Sequence, residues 1–209
     1  MRRLISLQAI GLLAAGLFLS IPSFAQEVNY PKAEVFGGFS ISSAAVSSSS
    51  TDPTTGLTTT TSLRESFMGW QASANGNITH HLAIVGDFGG QYKTVAGIPM
   101  NSYQFLFGPR ITFRGPRVTP FVHAMFGGVR EGVGSFSFTD PISGASVTIP
   151  GASSTGLGLG MGGGLDVNIS DRFALRVPQF DWTPMHIGGV WEKNVIRIGI
   201  GLVVKTGQK

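Results

Sequence analysis

Three groups of residues in this chain have the types and spacing that chemistry needs. Gly158, Gly160 and Gly163, within "GLGLGMGGGLDVNISDRFALR", have the Gly-x-Gly-x-x-Gly spacing of a dinucleotide loop, with Asp181 about where the ribose-binding acid would stand. His80, His81, His123 and His186 offer bases or metal ligands. Asp87, Asp166 and Asp181 with Arg110, Arg176 and Arg197 could pair as ions. Cysteine is absent, which excludes thiol chemistry, a disulfide framework and a lipid-modified N-terminal cysteine.

Each group depends on the element beneath it. A dinucleotide loop requires a buried strand before the glycines and a helix opening on them. Here "VTIPGASST" precedes them and reads as a loop, and the glycines themselves alternate with apolar residues. Leu157, Leu159, Met161, Leu165, Val167 and Ile169 share one parity; Gly158, Gly160, Gly162, Gly164, Asp166 and Asn168 share the other. That is a strand with one oily face and one face of glycine and polar groups, so the nucleotide reading lacks its structural context.

The chain start indicates the compartment. Met1-Arg2-Arg3 is a basic head, Leu4 to Leu19 is largely apolar, and Ser23-Phe24-Ala25 is a small-residue cleavage site. A secretory signal peptide over 1–25, cleaved before Gln26, and a single domain over 26–209 are the expected organisation. Arg2 and Arg3 account for half of the formal charge of +4, and the other cations are scattered without a basic stripe. Nucleic acid is therefore not an expected partner.

Thirty glycines argue against helices, and no later segment offers about 18 apolar residues for a transmembrane helix. Period two recurs instead. Ile196, Ile198, Ile200, Leu202 and Val204 alternate with Arg197, Gly199, Gly201 and Lys205; Tyr103, Phe105, Phe107, Ile111 and Phe113 with Gln104, Gly108, Arg110 and Thr112. Eight strands follow, at 33–42, 67–78, 82–92, 101–113, 118–130, 155–169, 173–183 and 194–205. Each meets or exceeds the roughly 9 to 11 residues that a tilted strand needs to cross a bilayer. Connectors 79–81, 114–117 and 170–172 are tight, whereas 43–66, 93–100, 131–154 and 184–193 are long. Such alternation is the sidedness of an outer-membrane barrel with both termini periplasmic. The predicted fold is an all-β, eight-stranded, antiparallel, up-and-down transmembrane β-barrel, closed because lipid satisfies no strand edge.

Parity then sorts the charges. Asp87, Arg110, Asp166, Arg176 and Arg197 lie opposite the oily residues, and a bulge at Pro178 would bring Gln179 and Asp181 inward with Phe180 and Trp182 outward. An internal network of Asp87, Asp166 and Asp181 with Arg110, Arg176 and Arg197, joined by Glu34, is expected to neutralise and fill the lumen; a gate is the sharper alternative. The inner glycines of 155–169 are expected to leave space in a narrow lumen for large neighbours such as arginines and to ease the strong curvature. Trp70, Tyr92, Tyr103 and Trp182 fall near the long-loop ends and Phe113 and Phe173 near the turns, as interface girdles do. The segment "VTPFVHAMFGGVR" is apolar on both faces and has no evident parity.

The stretches "AEVFGGFS", "GWQASANGNITHHLAIVGDFGGQY", "FLFGPRITFRGPRVTPFVHAMFGG" and "GGGLDVNISDRFALRVPQFDW" resemble the small eight-stranded outer-membrane barrel family, typified by the outer membrane protein A membrane domain and opacity proteins. With the last strand the resemblance covers nearly all of the chain after the signal. It implies outer-membrane lipid, lipopolysaccharide and the barrel assembly machinery as partners, no cofactor, and a role as envelope anchor, adhesin or passive pore. Two departures stand out. "GLVVKTGQK" lacks the terminal aromatic usual in the family, so Val204 is expected to substitute or the tail to extend past the signal. No peptidoglycan-binding domain follows, so a cell-wall tether is not implied.

Some barrels of this type modify lipid A with a His, a Ser and an acid. Here His123 is followed by Ala124 and Met125 rather than a serine, His186 lies in the fourth long connector, and His80 and His81 share a turn without the acids of a metal site. No catalytic, metal or cofactor residues are therefore assigned. The expected function is non-enzymatic, structural or surface-interacting, with a small porin-like channel as alternative and a lipid-modifying enzyme behind it. A surface ligand would be met at the Ser/Thr-rich connector 43–66, expected to be mobile, or at the more apolar 184–193.

Overall fold

The structure is a computed structural model that describes residues 30–95, 97–139 and 144–207. The expected signal segment 1–25 lies outside them. Twelve strands form among the described residues: β1 (Ala33–Thr51), β2 (Thr58–Asn77), β3 (Leu82–Val95), β4 (Ile98–Thr112), β5 (Val118–Val133), β6 (Phe136–Thr139), β7 (Ser146–Ile149), β8 (Ala152–Asn168), β9 (Phe173–Trp182), β10 (Met185–Ile187), β11 (Val190–Glu192) and β12 (Ile196–Thr206). No helix occurs among the described residues.

Eight of these strands close on themselves. β1 to β5, β8, β9 and β12 each pair antiparallel with the neighbour in chain order, and β1 pairs with β12 from Ala33↔Thr206 to Ser43↔Ile196. The result is an up-and-down barrel without free edges along its body. Three tight turns lie at one end. Ile78 N–H donates to Leu82 O, Phe113 N–H to Pro120 O and Ile169 N–H to Phe173 O. The hydroxyls of Thr79 and Ser170 accept the backbone N–H of Leu82 and Phe173, which fixes two of these turns locally.

Alternation places the two solvents. On β1, Glu34, Phe36, Ser40 and Ser42 are buried, while Val35, Phe39 and Ile41 are exposed. Pro178 produces the expected bulge: Val177 and Pro178 together oppose single residues on β8 and on β12. Arg176 and Gln179 consequently both enter the lumen, with Asp181 next, while Phe180 and Trp182 point outward. On β5, Thr119, Phe121, His123, Met125 and Val129 point inward and Val122 and Phe126 outward. Its polar residues carried that parity all along, since Thr119 and His123 are separated by an even number.

The long connectors differ from the expectation. Residues 43–51 and 58–66 continue β1 and β2 as a ladder to Thr51↔Thr58. Asp52 closes the tip, its carboxylate accepting from Thr54 N–H and Thr55 Oγ1. Connector 93–100 is shorter than expected because Val95 pairs with Ile98, and Gly97 takes φ +83 beside that pair. Connector 131–154 carries the β6–β7 hairpin, and 184–193 carries β10–β11, which joins β8 through Met185↔Gly158. Ser/Thr-rich and charged stretches are extended as readily as apolar ones once a partner strand supplies backbone hydrogen bonds.

Candidate functional site in the barrel lumen

Glu34, Asp87, Asp166 and Asp181 come from β1, β3, β8 and β9, and Arg110, Arg176 and Arg197 from β4, β9 and β12; all are at most 2% exposed. They join into one chain of contacts. Glu34 meets Arg114 of the turn after β4 at 2.5 Å and Arg110 at 3.9 Å. Arg110 reaches Asp166 at 3.2 Å, and Arg176 grips the same carboxylate with two bonds of 2.7 and 3.1 Å. Gln179 carries the chain upward, accepting from Arg176 at 2.9 Å and donating to Asp181 at 2.8 Å. Arg197 then bridges Asp181 (2.8 Å) and Asp87 (2.7 Å).

Charge balances within this set. Glu34, Asp87, Asp166 and Asp181 stand against Arg110, Arg114, Arg176 and Arg197. Buried ions are tolerated only when paired and hydrogen-bonded, and the bidentate Arg176–Asp166 pair has the fork geometry that makes such pairing strong.

Sequence reasoning missed two members because β5 had no assigned parity. His123 Nε2 lies 2.7 Å from Asp181 Oδ1. Phe121 lies beneath two guanidiniums, Arg110 Cζ at 3.6 Å and Arg176 Cζ at 4.4 Å from its ring centroid, with Phe36 also 4.4 Å from Arg176. Gln71 was missed as well; its amide donates to Asp87 at 2.7 Å.

The inner glycines of β8 make room for a different set than arginines. A Cβ on Gly158 would stand 2.5 Å from Val129 Cγ2, one on Gly160 3.0 Å from Leu106 Cδ1, one on Gly162 2.4 Å from Asp181 Oδ1, and one on Gly164 2.8 Å from Phe121 Cζ. Val85, Leu106 and Met125 pack together over this glycine face. The arginine that does use a glycine is Arg197, whose Nη1 would be 2.9 Å from a Cβ at Gly89 of β3.

The remaining sequence candidates lie apart from the network. Gly158, Gly160 and Gly163 are in the middle of β8, with no helix after them. His81 Nδ1 is 3.0 Å from Thr112 O at the end of β4, and His186 lies tilted against Trp191 with ring centroids 5.1 Å apart. His123 has the acid of a triad at Nε2, yet its Nδ1 has no hydrogen-bond partner among the described residues. A serine-type dyad would need a hydroxyl there.

Outside, Trp70, Tyr92, Phe113, Phe173 and Trp182 are exposed and Tyr103 is half-buried. Trp70 Nε1 donates to Tyr92 Oη at 3.3 Å, Tyr92 meets Tyr103 edge to face at 5.8 Å, and Trp182 Nε1 donates to Lys193 O at 2.6 Å. These four stand on the side of the barrel's long hairpins, Phe113 and Phe173 beside the tight turns.

No family model and no curated protein matches the chain. Solved structures do match, among them the following two. Ail, the attachment invasion locus protein of Yersinia pestis, is 14% identical with a TM-score of 0.54, over 84% of this chain and 98% of that one. Neisserial surface protein A is 19% identical with a TM-score of 0.52, over 83% and 97%. At such identities the likeness is one of architecture: this chain has the small eight-stranded antiparallel barrel fold that those two proteins share.

Proposed function

We propose that the chain is a non-enzymatic outer-membrane barrel with a structural or surface-interacting role, exported on residues 1–25 and closed to ions by its own side chains. The observation that carries this is the inversion of its faces. Arg110, Arg176 and Arg197 are sealed inside while Phe107, Phe126 and Leu157 stand 52, 56 and 64% exposed around the wall. Water would reverse that arrangement; lipid favours it. The aromatic residues Trp70, Tyr92, Tyr103, Trp182, Phe113 and Phe173 then mark two interfaces, and the tight turns and both termini face the periplasm. Outer-membrane lipid, lipopolysaccharide and the barrel assembly machinery are the partners this reading implies. By name, the two structural neighbours are an attachment invasion locus protein and a surface protein, in keeping with contacts made by the hairpins.

The test is heat-modifiable gel mobility of the refolded protein followed by planar-bilayer recording on the same sample. A mobility shift without discrete openings is expected. Ohmic openings altered by Arg110→Ala would replace this reading with the channel, and a soluble product without a shift would overturn the membrane assignment.

A further inference from the structure

At the hairpin end, above the ion network, the barrel mouth holds a half-open cavity of about 330 Å³. That is the lower end of the size range for small-molecule sites. Its apolar side is built by Ala44, Met100, Met185, Ile187 and Val195, with Phe67 at the rim. Met185 and Val195 also pack on Val129 of the lumen, so this wall is held by a buried cluster rather than by a free loop. The floor is Gln104, whose Oε1 accepts from Arg197 Nη1 at 3.4 Å. The cavity is therefore a dead end on the charge network, and not the entrance of a passage.

Among the described residues, Glu131 is the one charged side chain that lines it, beside the neutral polar Gln91, Asn101 and Ser102. Gln91 is 3% exposed and donates through Nε2 to Ser40 Oγ at 2.6 Å, which leaves its Oε1 without a partner. Ser102 Oγ is likewise buried and unpartnered. Glu131, half-buried on the wall, has no cation or hydrogen-bond donor among the described residues; the charge that it faces is another acid, Glu192. No Lys or Arg lines the cavity. Lys93, 5.8 Å over the Phe67 ring, is already neutralised by Glu65. Unsatisfied buried acceptors and an unpaired carboxylate beside an apolar wall ask for a donor that carries positive charge and hydrocarbon together.

We propose that this mouth cavity binds a small apolar monocation of the aralkylamine class, its hydrocarbon against Met185, Ile187 and Val195 and its ammonium at Glu131 and the free acceptors. Phenethylamine is a probe of suitable size, with phenethyl alcohol as its neutral and hydrocinnamate as its anionic counterpart. Binding is measured by calorimetry on the full refolded chain in zwitterionic lipid nanodiscs, with empty discs subtracted. Saturable binding of the amine is expected, about tenfold tighter than the alcohol, as one charge-assisted hydrogen bond at a half-buried acid gives, with hydrocinnamate weakest. Glu131→Gln should bring the amine down to the alcohol, and Ala44→Phe, which fills the apolar side, should weaken both; folding of each variant is checked by gel mobility. Equal affinities for the three probes, no saturable binding beyond empty discs, or an amine affinity untouched by Glu131→Gln would each overturn the proposal.

Discussion

The two walls of the lumen fill the same space by different physics. On the side of β9, β12 and β3 the filling is ionic: Arg176, Gln179, Asp181, Arg197 and Asp87 hold one another through directed bonds. Beyond Arg110, His123 and Asp166, the rest of the inner face of β4, β5 and β8 is steric, with Leu106, Met125 and Val129 set against glycines. The ionic wall tolerates loss of volume but not loss of one sign of charge. The steric patch tolerates neither added nor removed atoms, while the charges on the same strands, Arg110 and Asp166, belong to the ionic network. Gly162 belongs to both, since its missing side chain leaves room for Asp181.

That shared position should be the most fragile. In Gly162→Val the new Cβ would lie 2.2 Å from Phe180 O and 2.4 Å from Asp181 Oδ1, so backbone and carboxylate must both move. A loss above about 4 kcal/mol is expected, seen as disappearance of the heat-modifiable band. Next comes Arg197→Met, which strands Asp87 and Asp181 and should cost about 3–5 kcal/mol by urea titration of the folded band. Adding Asp87→Asn and Asp181→Asn should recover at least half of it. Failure to recover would mean that the ionic wall acts through shape and would dissolve the contrast.

Leu106→Ala, on the steric wall, should cost about 2–3 kcal/mol. Gly160→Ala alone should destabilise, because its methyl would stand 3.0 Å from Leu106 Cδ1 and 3.1 Å from Met125 Cε. In the double variant the methyl partly refills the space, so the two losses should fall short of additivity by about 0.5–1 kcal/mol in a double-mutant cycle. Strict additivity would deny that Leu106 and Gly160 share one space.

The smallest effect lies at the mouth, where neither wall protects the charge. Burial first, then the neighbouring Glu192, raises the Glu131 carboxyl above the usual carboxylate range. Its folded-state pKa therefore exceeds the unfolded one, so its unfavourable contribution is absent at low pH and grows as pH rises through that range. Glu131→Gln should gain about 0.5 kcal/mol at neutral pH, the size left after solvent screening, and nothing in acid. A variant with an unchanged urea midpoint at both pH values would remove this distinction between mouth and walls.

Much of this was legible because period two is a strict rule. Asp87, Arg110, Asp166 and Arg197 could be placed inside from their parity alone, and Pro178 announced the bulge that turns Gln179 and Asp181 in. What parity cannot supply is distance around the barrel. That Phe121 lies under Arg176, or that His123 meets Asp181, depends on the stagger of strands far apart in sequence. The same holds for the glycines: alternation showed which face they are on, while their partners on β4, β5 and β9 are set by register. The Ser/Thr stretch after Ser42 misled for a different reason. Composition reports burial, and a ribbon held by backbone bonds needs none.

That ribbon has a mechanical consequence. Above Ser43 the first strand loses its pairing with β12, and above Met68 the second has none with β3, so 44–51 and 58–67 form a two-stranded arm. Eight rises of about 3.3 Å carry the Asp52 turn some 25–30 Å beyond the closed wall. A hairpin of this kind bends and twists far more easily than a closed cylinder. What its tip can reach is therefore set by the length of the arm and not by any side chain of the lumen.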